Sequence, residues 1–218
     1  MPGDILELMF GEITGVYIGV FIVSLLISLG VHEAMHGFMA HWLGDDTAQR
    51  EGRLTLNPLA HIDLFTTILL PLVMLLAHLP PILAAKPVPF NPDRLKYDEF
   101  GAALVGAAGP LTNLALAALA GLVFRMFGTD MGSFAHDGII IFTFVNVGLF
   151  VFNMIPFPPL DGSRVLYAFA PESLQAIMRQ IEAVGFMVIL FVFVIAFQFI
   201  AGPLFGIEQG LVNFLLGL

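Results

Sequence analysis

Apolar runs long enough to cross a lipid bilayer dominate this sequence of 218 residues. The first run covers residues 13–43, which is more than the roughly 20 residues that a membrane-spanning helix requires at about 1.5 Å per residue. Only 11% of the residues are charged and 58% are apolar, whereas about 25% of a soluble domain is charged. The sequence therefore predicts an all-α polytopic membrane protein that forms a single domain over residues 1–218.

Breaks in the apolar pattern divide the chain into about four spanning helices and one shorter segment. The predicted spanning helices cover residues 13–43, 98–127, 138–155 and 181–201. Residues 64–84 contain an apolar stretch of only about 13 residues, interrupted by Pro71, and this length is typical of a re-entrant segment. Residues 54–56 are expected to form a short surface strand or hairpin. Residues 204–218 are expected to lie at the membrane interface or to return partway.

Basic residues predict the orientation, because Lys and Arg concentrate in short cytoplasmic loops. If residues 64–84 are re-entrant, seven of the eight basic side chains share one face, and only Arg125 lies near the other. If that segment spans, the division becomes three against five. We therefore expect a multi-pass protein of the plasma membrane whose first helix ends at the cytoplasm. The net charge of −9 offers no attraction to phosphate backbones, so nucleic-acid binding is excluded.

An HExxH pattern lies at the cytoplasmic end of the first predicted helix, from His32 to His36. Histidines four residues apart project from one helix face, which suits two ligands of a tetrahedral zinc ion. Glu33 lies beside them as a candidate general base. The pattern also occurs by chance in soluble helices, but ionisable groups inside a membrane helix are costly and by default indicate function.

A catalytic zinc site needs a third protein ligand, and a chain without cysteine must supply it from Asp, Glu or His. Asp161 is the favoured candidate, because under the re-entrant topology it lies at the same membrane depth as the HExxH histidines. Other candidates have better explanations as interfacial, loop or external groups: His41, His61, Asp63, His78 and His136. The re-entrant topology is thus favoured independently by the charge distribution and by the site.

Two motifs together, His32 to Gly37 and Asn153 to Gly162, resemble those of the site-2 protease family of intramembrane zinc metalloproteases, in its short prokaryotic branch. The resemblance extends over nearly the whole chain. It implies that one Zn²⁺ is bound by His32, His36 and Asp161, that Glu33 is the catalytic acid and base, and that peptide bonds are hydrolysed inside the membrane. It also implies substrates that are single-pass membrane proteins, such as anti-sigma factors or signal-peptide remnants.

Further roles remain alternatives at this stage. Asn153 is predicted to donate a hydrogen bond to the substrate backbone or the developing oxyanion, although capping or linking helices is an equal alternative. Asn113 has the same two alternatives, and we favour a structural role in which it satisfies carbonyls freed by Pro110. Residues 54–56 or 86–90 are candidates for pairing with an extended substrate. A zinc transporter or sensor and a catalytically silent scaffold are the competing functions.

Overall fold

The computed structural model describes residues 15–63, 67, 69, 76, 85–184 and 186–218. Over these residues the secondary structure is helical, without any strand. The α-helices are α1 (Gly15–Trp42), α2 (Thr47–Arg50), α3 (Asp98–Phe127), α4 (Ser133–Asn153), α5 (Asp161–Phe169), α6 (Glu172–Ala183) and α7 (Phe186–Leu216). Short 3-10 turns occupy Pro58–His61, Pro92–Arg94 and Gly128–Asp130.

Four helices are long and apolar enough to cross a membrane: α1, α3, α4 and the Phe199–Leu216 part of α7. The predicted all-α fold with about four spans is therefore confirmed. The bounds predicted for the last span, residues 181–201, were wrong, because α6 ends at Ala183 and α7 continues to Leu216. Residues 204–216 belong to that continuous helix. Pro203 does not end it, since membrane helices tolerate proline where neighbouring groups satisfy the freed carbonyl.

The strand predicted at residues 54–56 is absent from this described part of the chain. The Thr55 N–H donates to the Arg53 carbonyl at 3.0 Å, and the Thr55 carbonyl contacts His61 Nε2 at 2.9 Å. These local contacts satisfy backbone groups that a strand would have paired. Residues 64–84 lie outside the described residues except for positions 67, 69 and 76, so their re-entrant path stays a prediction.

The connection between α1 and α3 begins and finishes at the same end of the bundle. The Lys96 N–H, just before α3, donates to the carbonyl of Leu43, just after α1, at 2.8 Å. Ala40, Leu43, Leu95 and Val105 form a small apolar core there. We call this end of the bundle the site end. The opposite end holds Arg125, which contacts the carbonyl of Leu215 at 2.8 Å.

The bundle buries polar side chains and exposes apolar ones, which is the opposite of the arrangement in a soluble protein. Ser28, Asn113, Thr143 and Asn146 are fully buried between the helices. Large apolar side chains are exposed along the outer faces, among them Ile22, Leu119 and Phe199, where lipid tails would contact them. Without a hydrophobic force between helices, association in lipid depends on close packing and interhelical hydrogen bonds.

Small residues let α3 approach its neighbours. A Cβ on Gly121 would lie 2.7 Å from the Leu215 carbonyl oxygen of α7. A Cβ on Gly106 would lie 3.1 Å from the Asp161 carbonyl oxygen at the start of α5. Helix α3 therefore packs directly against the segment that carries Asp161.

Candidate metal centre

The three metal ligands predicted from the sequence lie together at the site end of the bundle. His32 Nε2 is 3.0 Å from His36 Nε2. Asp161 Oδ2 is 3.1 Å from His32 Nε2 and 3.3 Å from His36 Nε2. These are the three residues whose ligand atoms could hold one ion within the described part of the chain.

The spacing of these atoms matches a zinc site. Zinc binds His nitrogen and carboxylate oxygen at roughly 2.0 to 2.2 Å in tetrahedral geometry, which places neighbouring ligand atoms about 3.3 Å apart. The observed separations of 3.0 to 3.3 Å are close to that value. Three protein ligands also leave the fourth position open, as in catalytic rather than structural zinc sites.

Both imidazoles are oriented by a hydrogen bond at the nitrogen that faces away from the cluster. His36 Nδ1 lies 2.6 Å from the Val105 carbonyl oxygen, which can only accept, so His36 must carry its proton on Nδ1. His32 Nδ1 lies 2.6 Å from Asn113 Oδ1. Such partners fix the ring and the tautomer of metal-binding histidines.

A chain of amides decides which way Asn113 points. Asn146 Nδ2 donates to the Phe142 carbonyl at 2.9 Å and to the Ser28 hydroxyl at 2.8 Å. Asn146 Oδ1 therefore faces Asn113 and accepts from its Nδ2 at 2.9 Å. This arrangement turns Asn113 Oδ1 towards His32, which must donate from Nδ1.

The resulting protonation pattern requires a cation at the cluster. With both protons on Nδ1, the Nε2 atoms of His32 and His36 carry lone pairs that face each other at 3.0 Å. Asp161 Oδ2 adds a third acceptor. Three acceptors at these distances repel one another unless a proton or a metal ion lies between them. The donor set therefore fits a divalent metal ion.

The electrostatics of Asp161 agree with an anionic ligand. Burial alone would raise the pKa of its carboxyl, but a proton that His36 and His32 hold in place of the metal ion outweighs burial and lowers that pKa below its ordinary value. Asp161 is the first residue of α5, where the helix dipole also favours negative charge.

Gly109 leaves the space that the metal cluster occupies. A Cβ at this position of α3 would lie 2.5 Å from His36 Nε2 and 2.7 Å from His32 Nε2. Real Cβ atoms do not approach other atoms so closely, so another residue would displace the imidazoles. The Gly109-Pro110 motif therefore has a role at the site itself.

Glu33 is held by the backbone of a crossing segment, which we call the strap and define as residues 85–91. The strap has no regular secondary structure. Its Val88 N–H donates to Glu33 Oε2 at 3.0 Å. The buried Val88 side chain also packs over Gly37 of α1. One carboxylate oxygen of Glu33 is thus fixed, and the other has no hydrogen bond from a described residue.

Charged side chains anchor the strap on both sides of Val88. Arg53 donates to the Lys86 carbonyl at 2.9 Å. Buried Asp45 accepts from the Asn91 N–H at 2.6 Å. The Arg164 guanidinium, one turn after Asp161, lies 4.6 Å from the centre of the Phe90 ring, within cation–π distance. The strap is therefore held on both sides of Val88 by charged groups at the site end of the bundle.

Comparison with known proteins supports the same chemistry. The protein named "Putative zinc metalloprotease YwhC" of Bacillus subtilis is 37% identical over 180 residues, which cover 79% of this chain and 79% of YwhC. "Putative zinc metalloprotease Rip2" of Mycolicibacterium smegmatis is 30% identical over 180 residues, covering 80% of this chain and 67% of Rip2. The chain belongs to the site-2 protease family. No family model and no solved structure matches it.

As a site-2 protease family member with four apolar helices, the chain is a multi-pass membrane protein. Asn153, the other residue predicted to act in catalysis, is not in contact with the metal cluster. Its Nδ2 donates to the Leu149 carbonyl one turn earlier in α4, at 3.0 Å. The catalytic role of Asn153 stays a prediction.

Sequence reasoning missed several residues that complete this site-2 protease centre. A structural role was favoured for Asn113, but its contact with His32 was not predicted. Asn146 and Ser28, which orient Asn113 in turn, were not singled out, although buried polar residues in apolar helices are the pattern that could have identified them. The contact between Val88 and Glu33 involves only a backbone N–H of the strap, so no side-chain motif predicts it.

Proposed function

We propose that this chain is a zinc-dependent intramembrane endopeptidase that hydrolyses peptide bonds within or near the transmembrane helices of membrane-anchored proteins. The observation that carries the proposal is the cluster of His32, His36 and Asp161 at the site end of the bundle. Its two imidazoles are oriented towards one point. Relatives named as zinc metalloproteases support this assignment.

His32, His36 and Asp161 would hold the zinc ion. When bound there, zinc supplies Lewis acidity that polarises the scissile carbonyl and lowers the pKa of water to about 7. Glu33 accepts a proton from the attacking water and later donates it to the leaving amine, which is the role of a general base and then a general acid. The Val88 N–H holds Oε2 of Glu33 and leaves Oε1 for this proton transfer.

The surroundings of the cluster keep bulk water away from the reacting groups. His32 is only 3% exposed and His36 is 8% exposed. Exclusion of water strengthens each electrostatic interaction inside the site. The Asn153 amide would donate to the substrate carbonyl after leaving its contact with Leu149, a contribution of about 3 kcal/mol for such a donor.

The orientation follows from the basic residues. Seven of the eight Lys and Arg side chains belong to segments at the site end, and Arg125 alone belongs to the opposite end. Cytoplasmic loops of membrane proteins are enriched in these residues, so we assign the site to the cytoplasmic side of the plasma membrane. The substrates we propose are single-pass membrane proteins, such as anti-sigma factors or signal-peptide remnants.

Zinc quantification and peptide cleavage test the proposal together. The purified protein in detergent should contain one zinc per chain by mass spectrometry, Asp161→Ala should contain less, and Glu33→Gln should keep its zinc. In vesicles, wild type should cleave fluorescently labelled single-span peptides, whereas Glu33→Gln should cleave none. Zinc bound without cleavage would favour the scaffold, and cleavage retained by Glu33→Gln would refute the role of Glu33.

A further inference from the structure

A carboxylate in the last helix faces a cavity that the proposed mechanism does not use. Glu208 of α7 lines a cavity of about 470 Å³ between α7 and α4. Its Oε1 lies 2.7 Å from the place where a Cβ on Gly148 of α4 would stand. The missing side chain of Gly148 therefore makes the room that the carboxylate occupies. The remaining lining residues are Val151, Phe152, Ala201, Gly202, Leu204 and Phe205.

The position of Glu208 inside a spanning helix makes its carboxylate costly. The residue lies eight residues before the end of α7 at Leu216, about 12 Å at 1.5 Å per residue, which is well inside a hydrocarbon core roughly 30 Å thick. Every other residue that lines the cavity is apolar or glycine. Ionisable groups at the bilayer centre cost several kcal/mol unless they are paired, and they are commonly part of a binding or transport site. Glu208 therefore needs a partner.

The residues that the structure describes do not supply that partner. Glu208 makes no hydrogen bond or ion pair with any residue that the structure describes. All eight Lys and Arg residues belong to the described ranges, and all of them lie towards the two ends of the bundle. Arg125, for example, contacts the carbonyls of Phe214 and Leu215 beyond the end of the cavity. The described part of the chain thus leaves the complementary charge to another molecule inside the membrane.

We propose that the cavity between α4 and α7 binds a transmembrane helix that carries a Lys or Arg side chain near its middle, and that this side chain pairs with Glu208. Given the proposed function, this helix is the substrate. Gly148 lies about 7.5 Å from the end of α4 at 1.5 Å per residue, and the chain continues from that end into the turn before Asp161. Pairing at Glu208 would thus set which part of the bound helix extends towards the metal cluster.

Binding of synthetic single-span peptides tests this site without relying on cleavage. Glu33→Gln protein in vesicles is titrated with three labelled Leu/Ala peptides, and energy transfer measures association. One peptide has a central Lys, the second has Met in its place, and the third carries the Lys two helical turns nearer one end. We expect the central-Lys peptide to bind about tenfold more tightly than the others, as for a polar pair between membrane helices.

The matched variant is Glu208→Gln, which keeps the shape and removes the charge. It should keep its zinc content and lose the tenfold preference. Equal binding of the Lys and Met peptides, binding of neither peptide, or a preference that survives in Glu208→Gln would each overturn the proposal. Equal binding of the central and displaced Lys peptides would also overturn it. A Lys preference in a protein that holds no zinc would instead refute the proposed function and leave this binding site standing.

Discussion

Removing the backbone donor that holds Glu33 should slow catalysis without removing the metal. Val88→Pro deletes the N–H that donates to Glu33 Oε2 at 3.0 Å. Proline suits this position because Val88 precedes Pro89, and residues before proline favour the extended backbone that proline itself adopts. The substitution therefore tests one hydrogen bond in a strap that is otherwise kept.

The size of the effect follows from the kind of bond. A hydrogen bond to a charged group contributes about 1.5 to 3 kcal/mol, and each 1.36 kcal/mol changes a rate tenfold. If this bond serves to keep Glu33 aimed at the water, its loss should lower kcat by about 10- to 100-fold. The zinc content should not change, because Val88 does not contact His32, His36 or Asp161.

Val88→Ala is the control, since it removes the packing over Gly37 and keeps the N–H. Single-turnover cleavage of a labelled single-span peptide in vesicles would measure kcat for both variants beside wild type, with zinc content and thermal stability measured on the same samples. Equal losses of activity in the two variants would attribute the effect to packing and refute the orienting role. Unchanged activity in Val88→Pro would show that Glu33 needs no backbone donor.

Two further predictions concern the metal cluster and the anchors of the strap. Gly109→Ala should abolish zinc binding because its Cβ would lie 2.5 Å from His36 Nε2, whereas Gly138→Ala, where the added Cβ meets nothing within 4 Å, should keep its zinc. Burial opposes the charge of Asp45, but hydrogen bonds from Thr47 and from the Asn91 N–H outweigh burial and lower its pKa. Its contribution to stability is therefore present above the ordinary value of about 3.9 and is lost as the pH falls through the lowered pKa. The Tm difference between wild type and Asp45→Asn should be largest near pH 7 and should shrink below about pH 4; a pH-independent difference would contradict this reasoning.

The sequence predicts those parts of the structure that depend on interactions between residues close together in the chain. Spanning helices follow from the length of apolar runs, so α3 has the predicted bounds of 98–127. His32 and His36 share a face because of helix periodicity, and their meeting with Asp161 follows once the topology places both segments at one end. The predicted end of the last span at residue 201 is wrong, because α7 continues through Pro203 to Leu216.

The contacts that the sequence does not predict depend on the packing of distant segments. The strap reaches Glu33 through a backbone N–H, and its path depends on Arg53, Asp45 and Arg164 at once. Asn113 and Asn146 are isolated polar residues in separate apolar helices. Only the packing of α3 against α4 reveals that they form one hydrogen-bonded chain to His32.

That chain of amides makes a prediction about a residue that does not contact the metal ligands. Asn146 fixes the orientation of Asn113 by accepting from its Nδ2. Without this acceptor, only the longer contact with the Ser28 carbonyl, at 3.3 Å, holds Asn113 Nδ2, so the Asn113 amide can turn over and present Nδ2 to His32. His32 would then accept at Nδ1 and carry its proton on Nε2, where it cannot bind a metal ion. Asn146→Leu should therefore weaken zinc binding by about 10-fold or more, as for other partners of ligating histidines.

Thr143→Val is the matched substitution, because Thr143 is also fully buried in α4 but donates only to the Ile139 carbonyl of its own helix. Competition with a zinc chelator would measure the affinity of both variants. If both lose affinity equally, general loosening of the bundle is responsible, and the amide chain has no specific role. If only Asn146→Leu loses affinity, the tautomer of His32 is set by a residue on α4, a helix that contributes no metal ligand. The buried amides of this membrane protein would then form one connected chain, in which the hydrogen bond to each amide also sets the orientation of the group that follows it.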